Sequence, residues 1–279
     1  MSGNVSNFLK YFEYDFFLYT LLAAILISLI CGLLSPLVVL KQRAYIGDTL
    51  IHVVFPGIVV GYFASEYFDM SFWLSIFLAA SVTALIGIGM IEWFLRVLKI
   101  PSDSSAVISL TAFLSFGILF LSQIKGTRID PESILFGDIL SVDSSDVFVL
   151  AFVFIFILSL MFFLKKDWNA WLADPEFAEL AGYRIKLLNV LFPILMTVAA
   201  LVGVFTVGGL MISALLTLPA VLCSPKRAIS LHVIFISLSY VIVGLLMAFF
   251  FSLPIGPSVV ILGLVFVILK TLFVQFKSR

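Results

Sequence analysis

A carboxylate and an imidazole lie one helical turn apart within a stretch that is otherwise apolar enough to cross a membrane. The stretch covers residues 41–61, KQRAYIGDTLIHVVFPGIVVG, and the two side chains are Asp48 and His52. Because four residues separate them, a helix places both on one face. Such a pair supplies half of the ligands of a transition-metal site, and these ligand types suit zinc, manganese or iron. Ionisable groups inside a bilayer are costly and usually line a pathway or bind a ligand.

The depth of this pair distinguishes a buried site from a helix end whose polar side chains merely face water. Lys41 and Arg43 close the preceding apolar run. Nine helical residues from Arg43 to His52 rise about 13.5 Å, close to the midplane of a hydrocarbon core about 30 Å thick. This depth favours the buried site. Small and helix-weakening residues follow directly, and they predict a face that another helix can approach closely: Pro56, Gly57 and Gly61.

The composition excludes a soluble globular protein. Of the 279 residues, 63% are hydrophobic and 11% are charged, and the mean hydropathy is +1.25. Most of the chain forms uncharged runs that reach the roughly 20 residues needed to span a bilayer. The net charge of zero gives no indication of nucleic-acid binding. Cys31 and Cys223 both lie inside apolar runs, which argues against a structural disulfide and against a thiolate metal site.

The apolar runs predict an all-α, polytopic integral membrane protein with eight or nine transmembrane helices, forming a single transmembrane domain over residues 1–279. Five single spans are expected, at 18–40, 41–61, about 72–91, 106–124 and 147–164. The longer runs each fold into two short spans: 187–223, broken near Gly208 and Gly209, and 229–269, broken at 253–258. The apolar piece within 133–142 is too short to cross, which favours a re-entrant or interfacial turn.

Charged residues orient this arrangement through the positive-inside rule. If the spans alternate, acidic residues 13, 15, 66 and 69 share one side, and ten basic residues share the other: Lys41, Arg43, Arg96, Lys99, Lys165, Lys166, Arg184, Lys186, Lys226 and Arg227. Lys125 and Arg128 depart from the rule. The amino terminus is therefore expected outside the cytoplasm, and with nine spans the carboxyl terminus lies inside. Glu92 and Arg96 have helical spacing and are expected to form a structural pair near the interface.

The expected cytoplasmic loop, residues 166–184, contains the segment DPEFAELAGYR. Asp174 suits an N-cap, Pro175 the first helical position and Gly182 the terminating position, so a helix of about two turns is predicted within 174–182. Its small apolar face would consist of Phe177, Leu180 and Ala181. The helix either lies on the membrane surface or docks a cytoplasmic partner, and the residue pattern leaves both open.

Two further polar residues lie close to the predicted spans. His232 begins a span near a basic pair and is interpreted as interfacial. Asp138 lies in the short apolar turn and could face the outer mouth of a pathway. The 30 phenylalanines are interpreted as lipid-facing and packing residues.

The order of these segments resembles the permease subunit of bacterial ATP-binding-cassette importers for zinc and manganese. AYIGDTLIHVVFPGIVVG resembles that family's signature of Gly-Asp, a His four residues after the Asp, and a Pro-Gly pair. LFGDILSV resembles its Phe-Gly loop, and DPEFAELAG resembles its coupling segment. VGGLMISALLTLPAVL resembles its Gly-Leu-Leu run ending at a Pro, and LPIGPSVVIL its penultimate Pro-x-Gly turn. The match covers roughly residues 18–270, and five motifs in the family's order make it specific.

The resemblance implies a homodimeric permease in the bacterial cytoplasmic membrane, with two copies of an ATPase below it and a metal-binding protein outside. It implies that Asp48 and His52 line the metal path and that no cofactor is bound permanently, because the divalent metal is cargo. The ATPase-docking segment would comprise Asp174, Glu176, Phe177, Leu180, Ala181 and Gly182. Some zinc-importing members carry another histidine in the fourth-span region, where SLTAFLSFG contains none. This departure still leaves zinc as the first choice, with manganese or iron close behind.

The source of energy separates the competing hypotheses. The chain has no GxxxxGK[ST] phosphate loop, so the usual P-loop route to ATP hydrolysis requires a partner. The second hypothesis is a proton-coupled secondary carrier with Asp48 and His52 as the relay, although sparse charge in the other spans argues against it. An intramembrane enzyme lacks support, because neither an HExxH pair nor a Gly-x-Ser-x-Gly elbow occurs.

Overall fold

The computed structural model describes residues 15–67, 71–122, 142–223 and 228–277, and within them all regular structure is helical. Eleven helices occur in these ranges: α1 (Asp15–Leu40), α2 (Tyr45–Tyr67), α3 (Phe72–Arg96), α4 (Ser102–Ser122), α5 (Ser144–Phe163), α6 (Lys165–Ala173), α7 (Pro175–Leu180), α8 (Ile185–Val207), α9 (Gly209–Cys223), α10 (Leu231–Phe251) and α11 (Ile255–Lys277). Eight of them are long and apolar enough to span a membrane, and α9 is a shorter apolar helix of 15 residues. The all-α class with eight or nine spans is therefore confirmed.

Backbone breaks divide the two longest apolar runs. Between α8 and α9 the chain turns at Gly208, whose φ of +86° favours glycine, as the sequence predicts. Between α10 and α11 it turns at residues 252–254, where Ser252 has a left-handed φ of +54°. This second break is shorter than the predicted 253–258, because α11 already begins at Ile255. Pro257 then lies in the first turn of α11, where a missing backbone N–H removes no helical hydrogen bond.

The second span begins later than the sequence predicts. Residues 41–44 form a turn in which Gln42 has a left-handed φ of +55°, and α2 starts only at Tyr45. Asp48 is therefore three residues and His52 seven residues beyond the helix start, which corresponds to rises of about 4.5 and 10.5 Å. The expected rise of about 13.5 Å is thus wrong. His52 still lies two turns inside the span, and Asp48 lies nearer its end.

Three spans, α1, α2 and α8, are the most buried of the eight. Helix α1 packs against α5, α9 and α10, while α2 packs against α3, α4, α8 and α9. By contrast, α4, α5 and α11 expose much of their apolar surface, as suits spans that contact lipid. On α5 the exposed side chains include phenylalanines four residues apart: Phe148, Phe152 and Phe156.

The small-residue face of α2 lies directly against α3. A Cβ atom added to Gly57 would lie 2.6 Å from the Ala80 Cα, and one added to Gly61 would lie 2.5 Å from the Ile76 Cα. No side chain larger than hydrogen fits at these separations. The close approach predicted from the sequence is confirmed, and it fixes the half of α2 that follows Pro56.

Some sequence predictions fall outside the described residues. They concern the apolar piece within 133–142 apart from Val142, the candidate Asp138, the acidic residues Glu13 and Asp69, and the basic residues Lys125, Arg128, Lys226 and Arg227. His232 lies in the first turn of α10 and is exposed, which agrees with its interpretation as an interfacial residue.

Candidate metal path and docking face

Asp48 and His52 occupy an open strip on a helix that is otherwise closely packed. Asp48 is exposed and His52 is partly exposed, whereas Thr49, Leu50 and Ile51 between them are buried. The alternation follows from the helical repeat, because positions four apart share one face and the intervening residues point into neighbouring helices. The structure therefore brings the two predicted side chains together on one accessible face of α2.

Helix α9 packs against the face of α2 that adjoins this strip. A Cβ atom added to Gly47 would lie 3.1 Å from the Leu216 Cδ1, and one added to Gly209 would lie 3.2 Å from the Ile51 Cδ1. The two glycines let α9 lie close beside the first turns of α2. Because α9 covers this neighbouring face, the open strip with Asp48 and His52 is bounded on that side by α9.

The pair is chemically incomplete as a metal site in one chain. Within the described residues neither side chain has a hydrogen-bond or ion-pair partner, and no group of three or more His, Cys, Asp or Glu side chains occurs. A tetrahedral zinc site requires four ligands, of which this strip supplies two. An exposed carboxylate on a membrane span is unfavourable against lipid, so the strip must face water or another protein chain.

An ion-pair network anchors the turn that precedes α2. The Arg43 Nη1 atom lies 2.6 Å from the Glu92 Oε1 atom, and the Arg96 Nε atom lies 2.8 Å from the Glu92 Oε2 atom. The pairing of Glu92 with Arg96 confirms the sequence prediction. The contact with Arg43 was not predicted, because 49 residues separate the partners and only the packing of α2 on α3 brings them together.

Lys41, at the start of the same turn, is bound to α6. Its Nζ donates a hydrogen bond of 2.6 Å to the Trp171 carbonyl oxygen and lies 4.2 Å from the centroid of the Trp171 ring. The Trp171 Nε1 in turn donates to the Asn189 Oδ1 at 2.9 Å. Burial lowers the pKa of the Lys41 ammonium, the Arg43 charge adds to the lowering, and the Asp174 carboxylate opposes it. The turn is thus held by contacts on both sides.

We expect Glu92→Gln to destabilise the protein by about 1–2 kcal/mol, because it removes the charge that balances Arg43 and Arg96 at a partly buried position. Chemical unfolding of the purified protein in detergent measures the change. Glu66→Gln, the same substitution at an exposed carboxylate of α2, is the matched control and should change the stability by less than about 0.5 kcal/mol. Equal effects of the two variants on the free energy of unfolding would contradict the stabilising role of the ion pairs of Glu92.

The predicted cytoplasmic helix is present as α7. The Asp174 carboxylate accepts hydrogen bonds from the backbone N–H groups of Glu176 and Phe177, both at 3.0 Å, and Pro175 occupies the first helical position. Gly182 follows the helix with a φ of +85°. The N-cap and terminating roles read from the sequence are therefore confirmed.

The predicted apolar face of this segment is turned outward. Phe177 is 69% and Leu180 is 89% exposed, and Ala181 is also exposed, whereas Ala178 on the opposite side is buried. We call Phe177, Leu180 and Ala181 the docking face. Large apolar side chains exposed this fully on a loop between polar residues are typical of a surface that contacts another molecule.

The helix that supports this segment, α6, was not predicted from the sequence. The fifth span ends at Phe163, in agreement with the predicted end at residue 164, and Lys165 and Lys166 then begin α6. Trp168 and Trp171 are buried on one side of α6 with their ring centroids 5.6 Å apart. The signal was available, since two tryptophans three residues apart within a polar stretch indicate a one-sided helix.

The family model of the ABC 3 transport family matches residues 13–274. The chain belongs to this family, and the resemblance drawn from the order of its motifs is confirmed. Together with the eight apolar helices, this membership makes it a multi-pass protein of the bacterial inner membrane.

Two relatives are similar over about nine-tenths of their own length. The chain is 28% identical over 268 residues to the manganese transport system membrane protein MntC of Listeria monocytogenes, covering 94% of this chain and 91% of the relative. It is 28% identical over 246 residues to the high-affinity zinc uptake system membrane protein ZnuB of Haemophilus influenzae, covering 86% and 91%. The solved structure of PsaBC from Streptococcus pneumoniae in complex with Fab has a similar fold, with a TM-score of 0.79, 24% identity and 95% coverage of both chains.

Proposed function

We propose that this chain is the permease subunit of an ATP-driven importer, and that its Asp48–His52 strip forms part of the path for a divalent metal. The observation that carries the proposal is an open carboxylate–imidazole pair on one of the most buried spans. A carboxylate and a neutral imidazole both favour a divalent cation over other small solutes. Residues 1–279 act as one transmembrane domain in this proposal.

Two copies of the chain complete the site. If the open strips of two α2 helices face each other across a dyad, two carboxylates and two imidazoles become available to one ion. Four ligands satisfy tetrahedral zinc, and the same set leaves room for water around manganese. Among the described residues, no orienting partner of the kind that tightens resident metal sites binds either side chain, which suits a site that must release its ion.

A separate ATPase supplies the energy and binds at the docking face. The sequence lacks a P-loop, and the exposed docking face is the described surface that fits a cytoplasmic partner. A metal-binding protein on the outer side would deliver the cargo, as the family resemblance implies. The surrounding lipid covers the exposed apolar side chains of the spans.

Zinc is the proposed cargo, supported by the His–carboxylate ligand set and by the similarity to ZnuB. Manganese is the second candidate, because the similarity to MntC is equally strong and extends over more of the chain. Iron would suit the same ligands.

Reconstitution into proteoliposomes tests the function. The chain alone should not accumulate radiolabelled zinc above empty vesicles, with or without a proton gradient, because it has no ATPase of its own. Adding the ATPase, the metal-binding protein and ATP should start accumulation, and competition with unlabelled manganese or iron then ranks the metals. Uptake by the single chain driven by a proton gradient would reject the importer subunit and favour the secondary carrier. Transport of manganese with zinc acting only as an inhibitor would change the cargo and leave the importer intact.

A further inference from the structure

An apolar cavity of about 570 Å³ lies between α9, α10 and α11, outside the site described above. This volume falls within the range of about 300–1,000 Å³ that is common for small-ligand sites. The cavity is lined almost entirely by apolar surface, from Leu222, Ile236, Tyr240, Phe266 and Leu269, with Ser239 and Lys270 as the polar residues. Its chemistry suits a hydrocarbon chain.

The cavity lies in the cytoplasmic half of the membrane. Leu222 is one residue from the end of α9, and Lys270 is seven residues, or about 10.5 Å, from the end of α11. Two basic residues follow α9 in the sequence and two more end the chain, and the positive-inside rule places both helix ends on the cytoplasmic side. The cavity therefore opens at the depth of the inner leaflet.

Lys270 is the one charged side chain among the described residues that line the cavity. Its Nζ donates a hydrogen bond of 3.1 Å to the Val221 carbonyl oxygen in the last turn of α9. An ammonium group carries three donors, so two remain for another acceptor. A lysine near the end of a span extends its ammonium group toward the level of the lipid headgroups. The charge of Lys270 therefore reaches the phosphate layer of the cytoplasmic leaflet.

We propose that this cavity binds one anionic phospholipid of the inner leaflet, with an acyl chain along the apolar walls and the headgroup phosphate on Lys270. The single cation matches the net charge of an anionic lipid, whereas a zwitterionic lipid carries its own cation beside the phosphate. Basic pockets between spans on the cytoplasmic side suit such headgroups in general.

Native mass spectrometry of the delipidated full chain in detergent, with phosphatidylglycerol or phosphatidylcholine added, tests the proposal. The chain should bind one phosphatidylglycerol molecule in preference to phosphatidylcholine. Lys270→Met keeps the apolar stem but removes the charge, and it should weaken phosphatidylglycerol binding roughly fivefold. Lys270→Arg keeps the charge and should retain the preference. Ser239→Phe fills the cavity while leaving Lys270 in place, and it should weaken binding of both lipids.

Equal binding of the two lipids by the unmodified chain would overturn the proposal. Full phosphatidylglycerol binding by Ser239→Phe would also overturn it, because the lipid would then lie on the outer surface rather than in the cavity. Loss of lipid binding on dimer formation would assign the cavity to contact with a second copy instead. If Lys270→Met does not fold, Lys270→Arg and Ser239→Phe still decide between these outcomes, and none of them bears on metal transport.

Discussion

Asp48→Asn and His52→Ala should each lower metal uptake by more than about 100-fold. Residues that only orient metal ligands typically contribute 10–100-fold to affinity or activity, and these side chains are proposed to contact the ion directly. Asparagine keeps the size and polarity of the aspartate but removes its charge, and alanine removes the nitrogen ligand. Uptake by proteoliposomes that contain the complete importer is the measurement.

These variants should fold and assemble normally, because within the described residues neither side chain has a hydrogen-bond or ion-pair partner and neither is fully buried. Asp103→Asn is the matched control: it makes the same change at an exposed carboxylate in the first turn of the neighbouring span α4, and uptake should stay normal. Dimer formation and ATPase binding should be unchanged in all three. Normal uptake by both site variants would reject the proposed path, and loss of uptake together with loss of folding would not support it.

Leu180→Glu and Ala181→Glu should weaken the complex with the ATPase at least roughly 30-fold while leaving membrane insertion intact. An unpaired charge at the centre of a protein interface costs about 2–5 kcal/mol, whereas the same charge on a free surface costs almost nothing. Both positions are exposed, so the isolated permease should keep its stability. Co-purification with the ATPase, followed by transport, measures the effect.

Ala173→Glu introduces the same charge at an exposed position at the end of α6, outside the docking face. It should leave the complex intact. If all three variants co-purify normally and transport metal, α7 is a helix that lies on the membrane surface, the other interpretation left open by its sequence. If Ala173→Glu is as damaging as the others, the contact surface is broader than the docking face.

Local sequence signals predicted the parts of the fold that depend on a few adjacent residues. The Asp-Pro start of α7, the glycine after it and the break at Gly208 each follow from backbone chemistry at that position. The position of Asp48 and His52 on one face of α2 follows from helical spacing alone. Their accessibility does not, because it depends on which faces of α2 are covered by α3, α4, α8 and α9.

The errors have a common physical cause. The start of α2 was placed too early, since the apolar pattern carries no sign of the left-handed Gln42. The contacts of Arg43 with Glu92 and of Lys41 with Trp171 join residues 49 and 130 positions apart, so only tertiary packing creates them. The proposed site also requires a second copy of the chain. Binding of that copy depends on the shape of the folded surface, which no local sequence pattern defines.

The contacts of the turn before α2 connect the start of this helix to α6 and α3. Its entry is tied through Lys41 to α6, which precedes and contacts α7, the helix of the docking face, and through Arg43 to Glu92 on α3. The half of α2 after Pro56 is packed against α3 through its glycines. Pro56 interrupts the backbone hydrogen bonding between the two halves, so the helix bends most easily there. A displacement of α6 would therefore act first on the turn that leads to Asp48 and His52, whereas the half of α2 after Pro56 is held against α3.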